Sequence, residues 1–106
     1  METAEDIAFV LETAGEKLQF STGILLAVPL VEFISIENVA QDYIQQSFEF
    51  QTSEIEFKRV LIQEHMSFTY MNGNSNRKFK FKVTGFSFDL TGWITLVCSF
   101  QGVMDV

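Results

Sequence analysis

From Ser47 to Gln101 the chain alternates apolar and polar residues with a period of two, and the recurring apolar residue is phenylalanine. Phe48 and Phe50 flank Glu49. Met66, Phe68 and Tyr70 alternate with His65, Ser67 and Thr69, and Phe79, Phe81 and Val83 alternate with Lys78, Lys80 and Lys82. Successive side chains of a β-strand point to opposite faces, so this pattern predicts antiparallel strands with one buried and one solvated face. Between the last two runs lies Asn72-Gly73-Asn74-Ser75-Asn76, a polar segment whose residues tolerate positive φ. A hairpin from His65 to Thr84, closed at that segment, is the sharpest local prediction.

The alternation loses phase twice. Ile55 and Phe57 alternate with Glu54, Glu56 and Lys58, and near Arg59 the apolar set shifts to Val60 and Ile62. At Thr84-Gly85 it shifts again, to Phe86, Phe88 and Leu90. A one-residue slip within a strand is the signature of a β-bulge, which bends the sheet. The run from Trp93 to Phe100 is apolar on nearly both faces, as expected of a central or helix-covered strand.

Before Ser47 the period is helical. Ile7, Leu11, Ala14 and Leu18 recur at helix spacing behind Thr3 and Asp6, which predicts a helix over Ala4 to Leu18. Ile36, Val39, Ala40, Tyr43 and Ile44 form a second stripe with Ser35 as N-cap, predicting a helix over Ile36 to Gln46. Ile24 to Val28 is apolar all round and fits a buried strand or a buried helical turn equally, with Pro29 interrupting either. The expected architecture is a single α+β domain. Two N-terminal helices pack on a curved antiparallel sheet of five or six strands, the helix from Ile36 crossing its concave face.

The 106 residues suffice for one domain with its own core. Cys98 is the sole cysteine, so no disulfide framework exists within the chain. The N-terminus is acidic where a secretory signal is basic, and the longest apolar stretch is too short for a membrane helix. The expected setting is therefore cytoplasmic, or within an assembled particle, without a signal peptide. A net charge of −7 argues against nucleic-acid or membrane partners. That charge is unevenly spread: Lys17 is the only base up to Glu56, whereas Lys58, Arg59, Arg77, Lys78, Lys80 and Lys82 all follow.

No residue constellation specifies chemistry. Arg77-Lys78-Phe79-Lys80-Phe81-Lys82 resembles interleaved nucleic-acid contacts, but on a strand the rings and the cations face opposite ways. Arg77, Lys78, Lys80 and Lys82 are instead candidates for a protein interface. His65, the only histidine, has no adjacent orienting partner, and one His with one Cys cannot build a structural Cys/His metal site. Cys98 sits in an apolar strand and reads as a small hydrophobe. Glu54 and Glu56 would share one strand face and read as solvated. The twelve phenylalanines suit a packed core better than a ring-lined cavity, because they follow the buried phase of each run.

The leading expectation is a non-enzymatic structural or interaction module that associates with itself, as a component of a larger particle (a viral one included) would. No cofactor or metal is expected. A small-molecule or enzymatic pocket inside the curved sheet is the alternative, with Tyr43, His65, Tyr70, Asp89 and Trp93 as its polar and aromatic candidates. An acidic inhibitor or immunity-type protein is a third, suited to the acidic first half.

Overall fold

A computed structural model of the chain describes residues 4–30, 47–71 and 78–104. Its elements run α1 (Ala4–Ala14), β1 (Glu16–Phe20), β2 (Gly23–Pro29), β3 (Ser47–Ser53), α2 (Glu54–Val60), β4 (Ser67–Met71), β5 (Lys78–Phe88) and β6 (Trp93–Met104). The six strands pair antiparallel and close into a barrel in the order β1-β2-β3-β6-β5-β4, with β4 returning to β1. The α+β class and the antiparallel sheet follow the sequence pattern. The curvature goes further than expected, to closure of the sheet into a barrel.

Phenylalanine fills the interior. Phe50, Phe68, Phe79, Phe81 and Phe100 are fully buried together with Leu18, Leu25, Ile94 and Leu96. Phe50 meets Phe68 and Phe81 edge-on at 5.5 and 5.4 Å, and Phe68 stacks on Phe81 at 5.5 Å. Those separations lie within the favourable range for ring pairs, so the alternation supplies both the wall and its filling.

The hairpin forms with Ser67 opposite Lys82 and Met71 opposite Lys78. β6 lies between β3 and β5 and pairs with both, as every strand of the closed ring has two neighbours. The slip at Gly85 is a register shift between Val83 and Gly85 that leaves Thr84 unmatched. A second shift, opposite Lys80 and Phe81, leaves Gln101 unmatched on β6. The Ile24 to Val28 run is strand, with Leu25 and Ala27 pointing inward.

Three expectations are corrected. α1 ends at Ala14 instead of Leu18, and Leu18 is a fully buried strand residue. Gly15 donates its N–H to the Leu11 carbonyl oxygen, and a Cβ there would strike that same oxygen, so the helix stops at a glycine. Beyond it Leu18 and Phe20 alternate with Lys17 and Gln19.

Residues 54–60 form α2 and not a strand bulged at Arg59. Ser53 caps the helix by accepting the Glu56 N–H at 3.1 Å, Glu54 pairs with Lys58 at 2.7 Å one turn on, and Leu61 ends it in the left-handed region (φ 59°). Glu54 and Glu56 therefore do not share a strand face.

Phe86, Phe88 and Leu90 are exposed although the strand phase places them with the core set. β5 outruns β4 beyond Lys82 and pairs there only with β6. The two rings then meet Phe57 of α2, at 5.0 and 5.6 Å, and Phe57 in turn packs against the core. The helix expected over Ile36 to Gln46 lies outside the described residues. Among the described residues no helix is long and apolar enough to cross a membrane.

Candidate functional site

α1 packs against β2 and β3, where the wall is incomplete, and α2, leaving the end of β3, reaches from β2 to the end of β5 through Phe57. Among the described residues β2 pairs with β3 at Val28 and Pro29, and the Leu30 N–H donates to the Glu49 carbonyl at 3.0 Å; toward Leu26 and Ile24 the pairing stops, and β3 turns into α2. In an antiparallel strand the groups of Ile24 and Leu26 that face β3 would be left without ladder partners. Side chains replace the missing rungs. The Leu26 N–H donates to Glu56 Oε1 at 3.2 Å, and the buried Thr52 hydroxyl donates to the Leu26 carbonyl at 2.7 Å. Arg59 Nη2 donates to the Ile24 carbonyl at 2.5 Å, while its Nε donates to Glu56 Oε2 at 2.6 Å. This hydrogen bond from Arg59 lowers the Glu56 pKa against the opposing pull of burial, with help from the Leu26 N–H. α2 is thus clamped to β2 by polar groups.

α1 lies beside it with Ile7 and Leu11 buried. Between the helices, over Leu26 and Ser53, runs a groove of about 410 Å³. Ile7, Ala8, Leu11 and Ile55 supply its apolar lining, and Glu12, Glu54, Glu56 and Lys58 its charged one. The volume is in the range of ligand sites, but the charges of α2 are engaged with one another, Glu54 with Lys58 and Glu56 with Arg59. α1 carries Glu5, Asp6 and Glu12 and no base. This side of the molecule is apolar with an acidic flank.

The opposite side is basic. In the six-strand ring β5 stands three strands from β2 in either direction, so it lies directly across the barrel. Phe79, Phe81 and Val83 point inward, which turns Lys78, Lys80 and Lys82 outward. Their cross-strand neighbours are Met71, Thr69 and Ser67 on β4 and Met104, Gly102 and Ser99 on β6. Among the described residues none of these cross-strand neighbours is a carboxylate. Lys17, exposed on β1 beside β4, extends this face.

Of the residues singled out in the sequence, Lys78, Lys80 and Lys82 are brought together on this outer face. Arg77 and Tyr43 lie outside the described residues. Tyr70 is buried in the interior against Phe50 and Phe79, where burial, then the nearby Glu16 charge, pushes its phenol up to about 12. His65 is exposed in a left-handed turn (φ 74°) and donates its N–H to the Val83 carbonyl. Asp89 and Trp93 do meet, in the β5–β6 turn: Asp89 Oδ1 accepts from the Thr91 hydroxyl at 2.6 Å, the Thr91 N–H at 2.9 Å and the Trp93 N–H at 3.1 Å. Those bonds, the hydroxyl's first, lower the Asp89 pKa. His65, Tyr70, Asp89 and Trp93 thus occupy the turn before β4, the interior and the β5–β6 turn, and none of them lines the groove. Burial pushes the Cys98 thiol up to about 12, so it carries no thiolate at neutral pH. Among the described residues no group of three His, Cys, Asp or Glu side chains is placed to hold a metal ion.

Thr52, Glu56 and Arg59 went unnoticed as the residues that complete the wall. Their signal was present: Ser53-Glu54-Ile55-Glu56 has the spacing of a capping box, and Glu54-to-Lys58 that of a helical ion pair. Comparison with protein-family models, with curated proteins and with solved structures gives no match.

Proposed function

We propose that the protein is a non-enzymatic interaction module whose task is self-association, through the lysine-faced side of one copy and the acidic, helix-covered side of another. The observation that carries this reading is the placement of two surfaces of opposite charge on opposite sides of one barrel. The interior supports it as well. Packed rings occupy the space where a pocket inside the sheet would lie, and the Tyr70 phenol and the Cys98 thiol are both held protonated. The groove's α2 charges already serve to hold the helix and do not converge on a bound reactant.

Light scattering after size exclusion tests the proposal. At low ionic strength the mass should rise with concentration above the 12.1 kDa of one chain. It should fall back toward that value as salt is raised to about 0.5 M, where the Debye length shrinks to a few ångströms. A strict monomer at high concentration and low salt contradicts the reading.

A further inference from the structure

Resting on that reading, we infer that the contact is head to tail, with the Met71–Lys78–Met104 end of the lysine face of one copy seated on α1 and the adjoining groove of the next, and that the product is an open chain. Met71, Lys78 and Met104 form one rung across β4, β5 and β6, all on the outer face. The two methionines are 46% and 44% exposed, so the rung offers a cation between two apolar arms. On α1, Phe9 is 66% exposed. Glu5 lies four residues before it and Glu12 three after it, which places both carboxylates on the same helix face as the ring. Lys78 would meet the carboxylates while the methionines meet Phe9 and the groove wall, a pairing that suits thioether and ring.

A second copy is the occupant that the charges favour. A lysine face laid against a lysine face, or α1 against α1, sets like charges together, so an isologous dimer through either surface is opposed. Lysine face against α1 is complementary. A contact between opposite sides of a subunit leaves one surface of each kind unused at the ends, and such heterologous contacts propagate unless their rotation closes a ring.

The test uses two charge-reversed full chains, Lys78→Glu with Lys80→Glu, and Glu5→Lys with Glu12→Lys, each checked for an unchanged circular dichroism spectrum. Lys80→Glu alone replaces the first pair if that pair impairs folding, and Glu12→Lys alone replaces the second. Each variant by itself should associate more than about tenfold more weakly than the parent. An equimolar mixture should regain association, because the intact lysine face of one variant meets the intact α1 of the other. A parent chain that associates while the mixture stays monomeric overturns the head-to-tail contact and leaves self-association standing. Loss of association with the α1 variant but not with the lysine-face variant also overturns it, since α1 then meets some other surface. A monomeric parent overturns both.

Discussion

The two sides of the barrel are built by different means. On the β4–β5–β6 side strand pairing runs the length of the lysine stretch, bulged once on β6 at Gln101, and strand alternation places Lys78, Lys80 and Lys82 at every second residue, about 6.8 Å apart. On the β2–β3 side the ladder stops short of Leu26 and Ile24, and side chains of Thr52, Glu56 and Arg59 take over there. A wall completed by strand pairing needs no helix over it and leaves its outward lysines bare. An interrupted one needs helices to cover it, and the groove between those helices is the by-product. The two sides thus differ both in how the wall is closed and in the charge they carry.

Emptying the shared interior should harm both sides at once. Phe81→Ala removes a ring that touches Phe48, Phe50, Phe68 and Phe100, and a buried Phe→Ala change costs about 3–5 kcal/mol. Urea unfolding should show that loss as one cooperative transition; two separate transitions would mean that the sides do not share a core. Lys80→Glu should leave stability within about 0.5 kcal/mol, because the residue is exposed, yet weaken association more than about tenfold. Association unchanged by it would remove the lysine face from the account.

On the other side, Thr52→Val keeps the buried volume nearly constant but leaves the Leu26 carbonyl without its donor. It should cost about 1 kcal/mol in chemical denaturation. Glu56→Gln is the smallest change, about 0.5–1 kcal/mol after allowance for solvent screening of the Arg59 partner. Its effect should depend on pH. The folded carboxyl has a lowered pKa, so its contribution is present above the ordinary carboxylate range and is lost as pH falls through the folded value. The parent should therefore lose more stability than the Gln variant on acidification, and parallel pH profiles would show that the clamp contributes nothing.

The legible parts of this fold were those where one interaction governs the pattern. In the His65 to Thr84 hairpin, burial of Phe68, Phe79 and Phe81 alone dictates the alternation, and the structure pairs the strands in that phase. At 54–60 the same alternation misled. Ile55 and Phe57 are only two apolar residues among charges, a run too short to separate a strand from a helix of two turns. The Ser53 cap and the Glu54–Lys58 pair decided for helix. Phe86 and Phe88 misled in another way: their strand phase was right, but β4 ends before it can cover them. The lysine face was visible because register fixes it, whereas the clamp on β2 joins residues 26 to 35 positions apart, a separation that no local pattern reports.

Small-angle X-ray scattering across a concentration series at low salt tests the opposed-surface account most directly. It predicts particles that lengthen with concentration while their cross-section stays that of one barrel. A radius of gyration that remains near the 13.3 Å of the single chain at every concentration would contradict it.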